Sequence, residues 1–192
     1  GMRRWKRPVL RRFFSDLRFS RRPSRTARNI VWGDKADTAL EAAVADTGQQ
    51  LWRLEDGFLR SAGLGAALVP PVSLALDRRG IYYDATRPSD LEHLIGASAY
   101  LSQGALLRAR RLREAVVASG VAKYNLAGPD PVGTADILVV GQVADDAALR
   151  LGASDIRGNA ELLQAARAAN PDATIVWKPH PDAVAGLREG LV

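Results

Sequence analysis

In the first third of the chain, segments with continuous apolar runs, typical of strands, alternate with segments whose apolar residues recur at helical spacing. NIVWG (29–33) is a short apolar run that ends in glycine, as a buried strand often does. Residues 35–47 are alanine-rich at helical spacing, and Gly48 follows as a stop signal. Residues 50–54 form a second apolar run. The pattern predicts strand–helix–strand, the unit of a parallel sheet covered by helices.

Two short runs and two helical segments are predicted next. SLALD (73–77) and GIYYD (80–84) predict two strands that are joined by a turn at Arg78-Arg79. Helices are predicted over residues 88–95 and 102–119, and the arginine-rich face of the second is interpreted as solvated.

The first of these helices carries a start signal. Ser89 is followed three residues later by Glu92, the spacing of a capping box. Beyond the second helix, residues 127–136 (AGPDPVGTAD) are rich in Pro and Gly and predict a linker.

A second strand–helix–strand unit is predicted after the linker, from residues 136–140, 159–169 and 174–178. The sequence therefore predicts an α/β fold of two Rossmann-like halves. The first half covers residues 29–127. Residues 135–192 are interpreted as the start of the second half, which is truncated because two strands are too few for a doubly wound domain.

The charge of the chain is concentrated in a basic leader, residues 1–28. It contains eleven Arg and Lys residues and one Asp, a net charge of +10, whereas the whole chain carries +6; residues 29–192 therefore carry −4. A helix over residues 9–19 would place four apolar side chains on one face, Leu10, Phe13, Phe14 and Leu17. This amphipathic leader predicts docking on an anionic inner-membrane surface through residues 3–28. Packing on the protein's own domain and a disordered tail are the alternatives, and the acidic body argues against nucleic acid.

Composition narrows the possible chemistry. The chain has no cysteine and two histidines, which excludes disulfides, thiolate zinc sites and cysteine nucleophiles. No apolar run reaches the roughly 18 residues of a membrane span, and no signal-peptide core is present, so a cytoplasmic location is expected. No phosphate-binding glycine loop, nucleophile elbow or metal-spaced carboxylate cluster occurs.

Two adjacent acids, Glu55 and Asp56, end the second predicted strand and precede Gly57. At the carboxyl end of a parallel strand one of them could enter a cleft and serve as a general acid or base. The alternative is a pair of turn-forming acids before a glycine.

Two sets of candidates lie in the second half. Asp145 and Asp146 follow a buried strand, where a carboxylate could act as a nucleophile or base, or could only cap a helix. His180 lies between two prolines and shares a strand end with Lys178, which favours a phosphate or carboxylate ligand. The alternative for His180 is a structural histidine that is hydrogen-bonded in a loop.

Six stretches together resemble the capsular polysaccharide biosynthesis and export family of Gram-negative bacteria, the capsule β-Kdo transferases. They are VWGDK (31–35), RLEDGFLRSAGLG (53–65), PVSLALDRRGIYYDATRPSDLEHLI (71–95), KYNL (123–126), GQVADDAALRLGA (141–153) and WKPHPD (177–182). The resemblance implies that residues 29–127 form the acceptor-side domain, and residues 135–192 the start of the nucleotide-sugar domain, of a two-lobed, GT-B-like glycosyltransferase. Such an enzyme moves Kdo from CMP-Kdo to a lipid-linked acceptor. It is similar to bacterial sialyltransferases, which carry an acidic-acidic-Gly motif and a His-Pro motif.

The resemblance also implies roles for individual residues. Glu55 would be the acid/base with Asp56 in support, and Asp146 the nucleophile of a retaining, metal-independent reaction that needs no cofactor. His180 would contact the donor phosphate or stabilise departing CMP. The remaining donor or substrate contacts would come from Gly57, Arg60, Gln142, Lys178 and Pro181. Of these, Arg60 is assigned to the sugar carboxylate by its charge alone.

The sequence departs from the family pattern in two places, and a second function therefore stays open. The sequence stops soon after the His-Pro motif, so the cytidine pocket is expected to be incomplete, and Ala148 stands where a serine is expected. The rival is a non-catalytic lobe that binds lipid or a partner in the capsule assembly machinery. The sequence gives no oligomeric state.

Overall fold

The computed structural model describes residues 3–126, 128 and 133–192. The chain forms two compact units, Gly1–Asn125 and Leu126–Val192, and each contains one β-sheet with helices. The chain is therefore α/β, as predicted, with one mixed sheet and one parallel pair of strands.

The sheet of the first unit has three strands in the order β1 (Asn29–Trp32), β2 (Leu51–Asp56) and β3 (Leu74–Asp77). β1 and β2 are parallel and are connected through helix α2 (Thr38–Ala45), which confirms the predicted strand–helix–strand unit. β3 is antiparallel to β2. On the face of α2, buried Arg53 of β2 forms an ion pair with Glu41 of the helix.

The predicted strand at residues 80–84 is wrong. The carboxylate of Asp77, the last residue of β3, accepts hydrogen bonds from the amides of Arg79 and Gly80, both at 2.8 Å. This turns the chain out of the sheet at once, because a carboxylate that holds two following amides mimics a backbone turn. Ile81 is then buried, and the amide of Asp84 donates to its carbonyl, so the segment forms a turn.

The basic leader packs on the first unit. Helix α1 covers Lys6–Phe13, whereas the predicted helix covered residues 9–19, and Phe14 is already extended. Leu10 is 0% exposed and forms the core with Trp32 and Leu54. Burial of such a leucine contributes about 2 kcal/mol. The apolar side of the leader is therefore used within the protein, which was the alternative to a lipid-facing helix.

The helices after β3 match their predicted positions. Helix α3 (Asp90–Gly96) starts with the capping box of Ser89 and Glu92. A 3₁₀ turn (Ala97–Tyr100) leads to α4 (Gln103–Ala118), all of which is described and none of which is buried. Its arginine face is solvated, as predicted, but its leucines are exposed as well.

The second unit contains the predicted strand–helix–strand pattern. Strands β4 (Ile137–Val140) and β5 (Ile175–Lys178) are parallel. They flank α5 (Ala147–Gly152) and α6 (Asn159–Ala169), and α7 (Pro181–Val184) follows β5. Extension of the two units into Rossmann-like halves stays a prediction, and half of the predicted linker lies outside the described residues.

Candidate functional site

Asp56 and Arg60 form a buried ion pair at the end of β2. The guanidinium Nε donates to Asp56 Oδ2 at 2.7 Å, and Nη1 donates to the Ser61 hydroxyl at 2.8 Å. Arg60 is 1% exposed. The predicted contact between Arg60 and a sugar carboxylate stays a prediction, and in the structure the guanidinium is occupied by Asp56 and Ser61.

Glycines allow this loop to close around the guanidinium. A Cβ atom on Gly65 would lie 2.8 Å from Arg60 Cζ, so a side chain there would collide with the buried cation. A Cβ atom on Gly57 would lie 2.9 Å from the backbone carbon of Ser73, whose carbonyl accepts from the Gly57 amide at 2.9 Å. Gly57 is thus placed by the close approach of two backbones.

The KYNL stretch clamps the same loop. The carbonyl of Lys123 accepts from the amides of Arg60 and Ser61, at 2.9 and 3.1 Å. The side-chain amide of Asn125 donates to the carbonyl of Ser61 at 3.0 Å. Residues far apart in sequence therefore hold Arg60, and through it Asp56, in one position.

Glu55 has a raised pKa, which suits it to acid/base chemistry. Burial raises the pKa of Glu55 from 4.5 to about 6, and Lys6 and Lys123 oppose the shift. Its Oε1 atom accepts from the Asp56 amide at 2.9 Å. A carboxyl with a pKa of about 6 can both take and return a proton near neutral pH, as a general acid/base must.

Tyr83 lies beside Glu55, although the sequence did not indicate it. A Cβ atom on Gly33, at the end of β1, would lie 2.7 Å from the Tyr83 hydroxyl and 2.8 Å from Glu55 Oε2. The two oxygens therefore converge over a glycine with a φ of +52°. Burial, with the charges of Glu55 and Asp34, raises the pKa of Tyr83 far above its ordinary value, so the phenol keeps its proton. The sequence feature that could have indicated this contact is Gly33, a glycine at the end of a strand.

The basic leader also contributes Lys6, which the sequence did not indicate. Its Nζ atom lies 3.0 Å from the centre of the Trp32 ring. Burial lowers the pKa of Lys6 to about 8, and the charges of Asp56 and Glu55 oppose the shift. Asp56 Oδ1 is buried and has no hydrogen-bond partner among the described residues. Lys6 thus supplies positive charge near two carboxyl groups.

The acids of the second unit are in a more solvated setting. Asp146 is the N-cap of α5 and accepts from the Ala148 amide at 2.8 Å, which is the capping alternative. Asp145 forms an ion pair with Arg188, whose hydrogen bond lowers the pKa of that carboxyl. A nucleophilic role for Asp146 stays a prediction.

His180 is the N-cap of α7, and Pro181 is the first helical residue. Its Nδ1 atom accepts from the Asp182 amide at 3.1 Å. An imidazole that accepts through Nδ1 carries its proton on Nε2, which makes Nε2 a donor. Lys178 ends β5 and is exposed, as a phosphate ligand would need to be.

Asn159, which the sequence did not indicate as a functional residue, organises the loop after β4. Its side chain accepts from the Gln142 amide at 3.0 Å and donates to the Gln142 carbonyl at 2.8 Å. The side-chain amide of Asn159 also donates to the Gly190 carbonyl, at 2.6 Å. Gln142 is thereby held at the carboxyl end of β4, next to the end of β5.

The predicted residues therefore fall into two groups. Glu55, Asp56, Gly57 and Arg60 meet in the first unit, while Gln142, Asp146, Lys178, His180 and Pro181 lie at the strand ends of the second. Within the described parts of the chain, no three His, Asp or Glu side chains are grouped to hold a metal. None of the helices described is long and apolar enough to span a membrane.

Comparisons with known proteins agree with the resemblance. The family model described as "Capsule polysaccharide biosynthesis protein" matches residues 29–128 and 131–192. The lipopolysaccharide-processing protein LpsZ of Rhizobium meliloti is 37% identical over 98% of this chain and 48% of its own length. The capsule polysaccharide modification protein LipA of Neisseria meningitidis is 38% identical over the whole chain and 29% of its own length. The chain spans half or less of these relatives.

Two solved structures are similar as well. KpsC of Thermosulfurimonas dismutans, a beta Kdo 2,4 transferase, has a TM-score of 0.83 at 33% identity, over 98% of this chain and 62% of the other. A beta Kdo 2,7 transferase structure of KpsC from the same organism has a TM-score of 0.71 at 33% identity, over 97% and 62%. The family match, the two relatives and the two structures agree, and this chain belongs to the capsule polysaccharide biosynthesis protein family.

Proposed function

We propose that this chain carries part of a glycosyltransferase that moves Kdo from CMP-Kdo to a lipid-linked acceptor in capsular polysaccharide biosynthesis and export. The observation that carries the proposal is Glu55, whose pKa of about 6 and position beside Tyr83 suit proton transfer. The Kdo transferase activity of the two similar structures supplies the substrate class.

On the acceptor side, Glu55 takes the proton of the attacking hydroxyl. Tyr83 keeps its own proton and donates a hydrogen bond to the acceptor hydroxyl or to the carboxylate of Glu55. This hydrogen bond orients the group that accepts it. Asp56 supports Glu55 indirectly, because its ion pair with Arg60 fixes the end of β2. Each of these groups is held by the packing of the first unit, so little reorganisation is needed during proton transfer.

On the donor side, the proposed reaction retains the anomeric configuration. The carboxylate of Asp146 attacks the anomeric carbon as the bond to the phosphate of CMP breaks. His180 donates from Nε2 to the phosphate, Lys178 adds positive charge, and Gln142 and Pro181 shape the strand ends around the donor. The deprotonated acceptor oxygen then displaces Asp146 from the sugar. As proposed, the reaction uses neither metal nor cofactor.

We extend the proposal to a cytoplasmic protein that works at the inner-membrane surface, because the proposed acceptor is a lipid. Arginines on the outer side of α1, such as Arg11 and Arg12, are exposed and can meet anionic headgroups. The support is electrostatic, since the apolar side of α1 is packed on the sheet. Binding to phosphatidylglycerol vesicles that falls with salt, and falls further in Arg11→Gln/Arg12→Gln, would support this location.

A non-catalytic lobe that binds lipid or a partner protein is the second candidate. It is favoured by the exposed apolar side chains of α3 and α4, among them Ile95 and Leu112. It is also favoured by the cap that occupies the carboxylate of Asp146.

Release of CMP from CMP-Kdo, with a lipid-linked Kdo acceptor, separates these candidates when it is measured on a protein extended to the length of the relatives. Glu55→Gln keeps the shape and hydrogen bonds of the side chain but cannot transfer the proton, so the rate should fall by at least about 100-fold. Asp146→Asn keeps the helix cap and removes the nucleophile, and should abolish turnover, whereas Asp145→Asn should not. Unchanged turnover in Glu55→Gln and Asp146→Asn would refute the assigned roles. Acceptor binding without CMP release in any form of the protein would favour the lobe.

A further inference from the structure

Phe58, Tyr82 and Tyr83 form a continuous row of rings, here called the aromatic shelf. The row starts at Glu55, where the Tyr83 hydroxyl converges with the carboxyl over Gly33. The Tyr82 and Tyr83 rings are 5.4 Å apart in edge geometry, and the Phe58 and Tyr82 rings are 5.0 Å apart and tilted. These are the separations of interacting rings. The shelf therefore runs from the candidate acid toward solvent.

The backbone holds the shelf rigidly. On one side of Phe58, the Gly57 amide donates to the Ser73 carbonyl at 2.9 Å, and on the other the Ser73 hydroxyl donates to the Leu59 carbonyl. Tyr82 follows buried Ile81, within the turn that Asp77 stabilises. A ring that is fixed in this way loses little conformational entropy when a ligand stacks on it.

Phe58 is exposed although its backbone is fixed. It is 59% exposed, whereas Phe14 and Phe19 of the leader pack against the core. A rigid, exposed aromatic ring in a row that leads to polar groups is typical of a ligand-binding surface.

We infer that the aromatic shelf binds the pyranose ring of the acceptor sugar, an inference that rests on the proposed function. The C–H face of a pyranose stacks on aromatic rings, while its hydroxyls need polar partners. Both are present here, because the rings lead directly to the hydroxyl of Tyr83 and the carboxyl of Glu55. Lys123, which is exposed and whose charge acts on Glu55, favours a sugar that carries a carboxylate. An acyl chain could not form hydrogen bonds with these polar groups.

Binding of a soluble Kdo glycoside without an acyl chain tests the inference, with the dissociation constant measured by ligand-observed NMR. Phe58→Ala should weaken binding about tenfold, the loss expected for one stacked ring. Phe58→Trp should restore binding, because a larger ring keeps the stacking face. Tyr100→Ala is the matched control, since Tyr100 is 90% exposed in the same unit and is not one of the paired rings of the aromatic shelf, and it should leave binding unchanged.

The inference is overturned if the glycoside does not bind, or if Phe58→Ala binds it as tightly as the parent protein. It is also overturned if phosphatidylglycerol vesicles bind in a Phe58-dependent way while the glycoside does not. CMP release, measured with the same variants in a protein extended to the length of the relatives, separates the two proposals. Phe58-dependent binding without CMP release keeps the shelf and refutes the transferase. CMP release with an unchanged acceptor KM in Phe58→Ala keeps the transferase and refutes the shelf.

Discussion

The acids at the two sets of strand ends have similar sequence contexts but different surroundings. In the first unit, Asp56 pairs with a buried arginine, and burial raises the pKa of Glu55 to about 6. In the second unit, Asp145 is 72% exposed in its side chain and pairs with Arg188, which lowers its pKa, while Asp146 caps a helix. The comparison teaches that burial, rather than the presence of adjacent acids, prepares a carboxyl group for proton transfer.

The largest expected effect on stability comes from removing Arg60, and the matched change in the second unit is the removal of Arg188. Arg60→Met leaves the partly buried carboxylate of Asp56 without its hydrogen-bonded cation, so the free energy of unfolding should fall by about 3 kcal/mol. Arg188→Met breaks an exposed pair and should cost less than about 1 kcal/mol. Urea denaturation of both variants measures the difference. Equal losses would show that the two ion pairs are not distinguished by burial.

Gly57→Ala tests the close packing that follows β2. The added Cβ would lie 2.9 Å from the backbone carbon of Ser73, and the strain should cost up to about 3 kcal/mol. Gly96→Ala is the matched control, because α3 has open space there and alanine should stabilise the helix by about 0.5–1 kcal/mol. Urea midpoints of the two variants should therefore shift in opposite directions, and a neutral Gly57→Ala would contradict the packing described.

The pH dependence of stability tests the environment of Glu55. Its pKa is raised in the folded state, so protonated Glu55 contributes stability that is fully present below pH 4.5 and lost as pH rises through about 6. At pH 8 the buried charge costs about 2 kcal/mol. Glu55→Gln should recover that amount at pH 8 and nothing at pH 4. Parallel stability curves for the two proteins from pH 4 to 8 would show that the pKa of Glu55 is not raised.

The smallest expected effect concerns the cap on α5. Asp146→Ala removes the acceptor of the Ala148 amide and should cost about 1 kcal/mol. Asp146→Asn keeps an acceptor oxygen and should change stability by less than about 0.5 kcal/mol. Thermal unfolding of both variants checks this, and an equal loss in both would indicate that the charge of Asp146, rather than its cap, matters to the fold.

Local patterns predicted the parallel strand–helix–strand units, because each depends on residues close in sequence. They left the leader between two outcomes, since an apolar face that contains Leu10 suits a membrane or a sheet equally well. The predicted helix bounds of 9–19 were wrong, because the helix covers Lys6–Phe13. The strand predicted over residues 80–84 was wrong, because Asp77 redirects a run that has strand composition into a turn. Lys6 and Tyr83 were missed because only the folded sheet brings α1 and that turn to Glu55.

Carboxyl ¹³C NMR titration of the protein, with Glu55→Gln and Asp145→Asn used for assignment, tests the central claim in both units at once. The account predicts that Glu55 titrates with a midpoint near 6, while Asp145 titrates below its ordinary value of 3.8. A Glu55 midpoint near 4.5, the value of a solvated glutamate, would contradict the proposal that burial prepares this residue for acid/base chemistry.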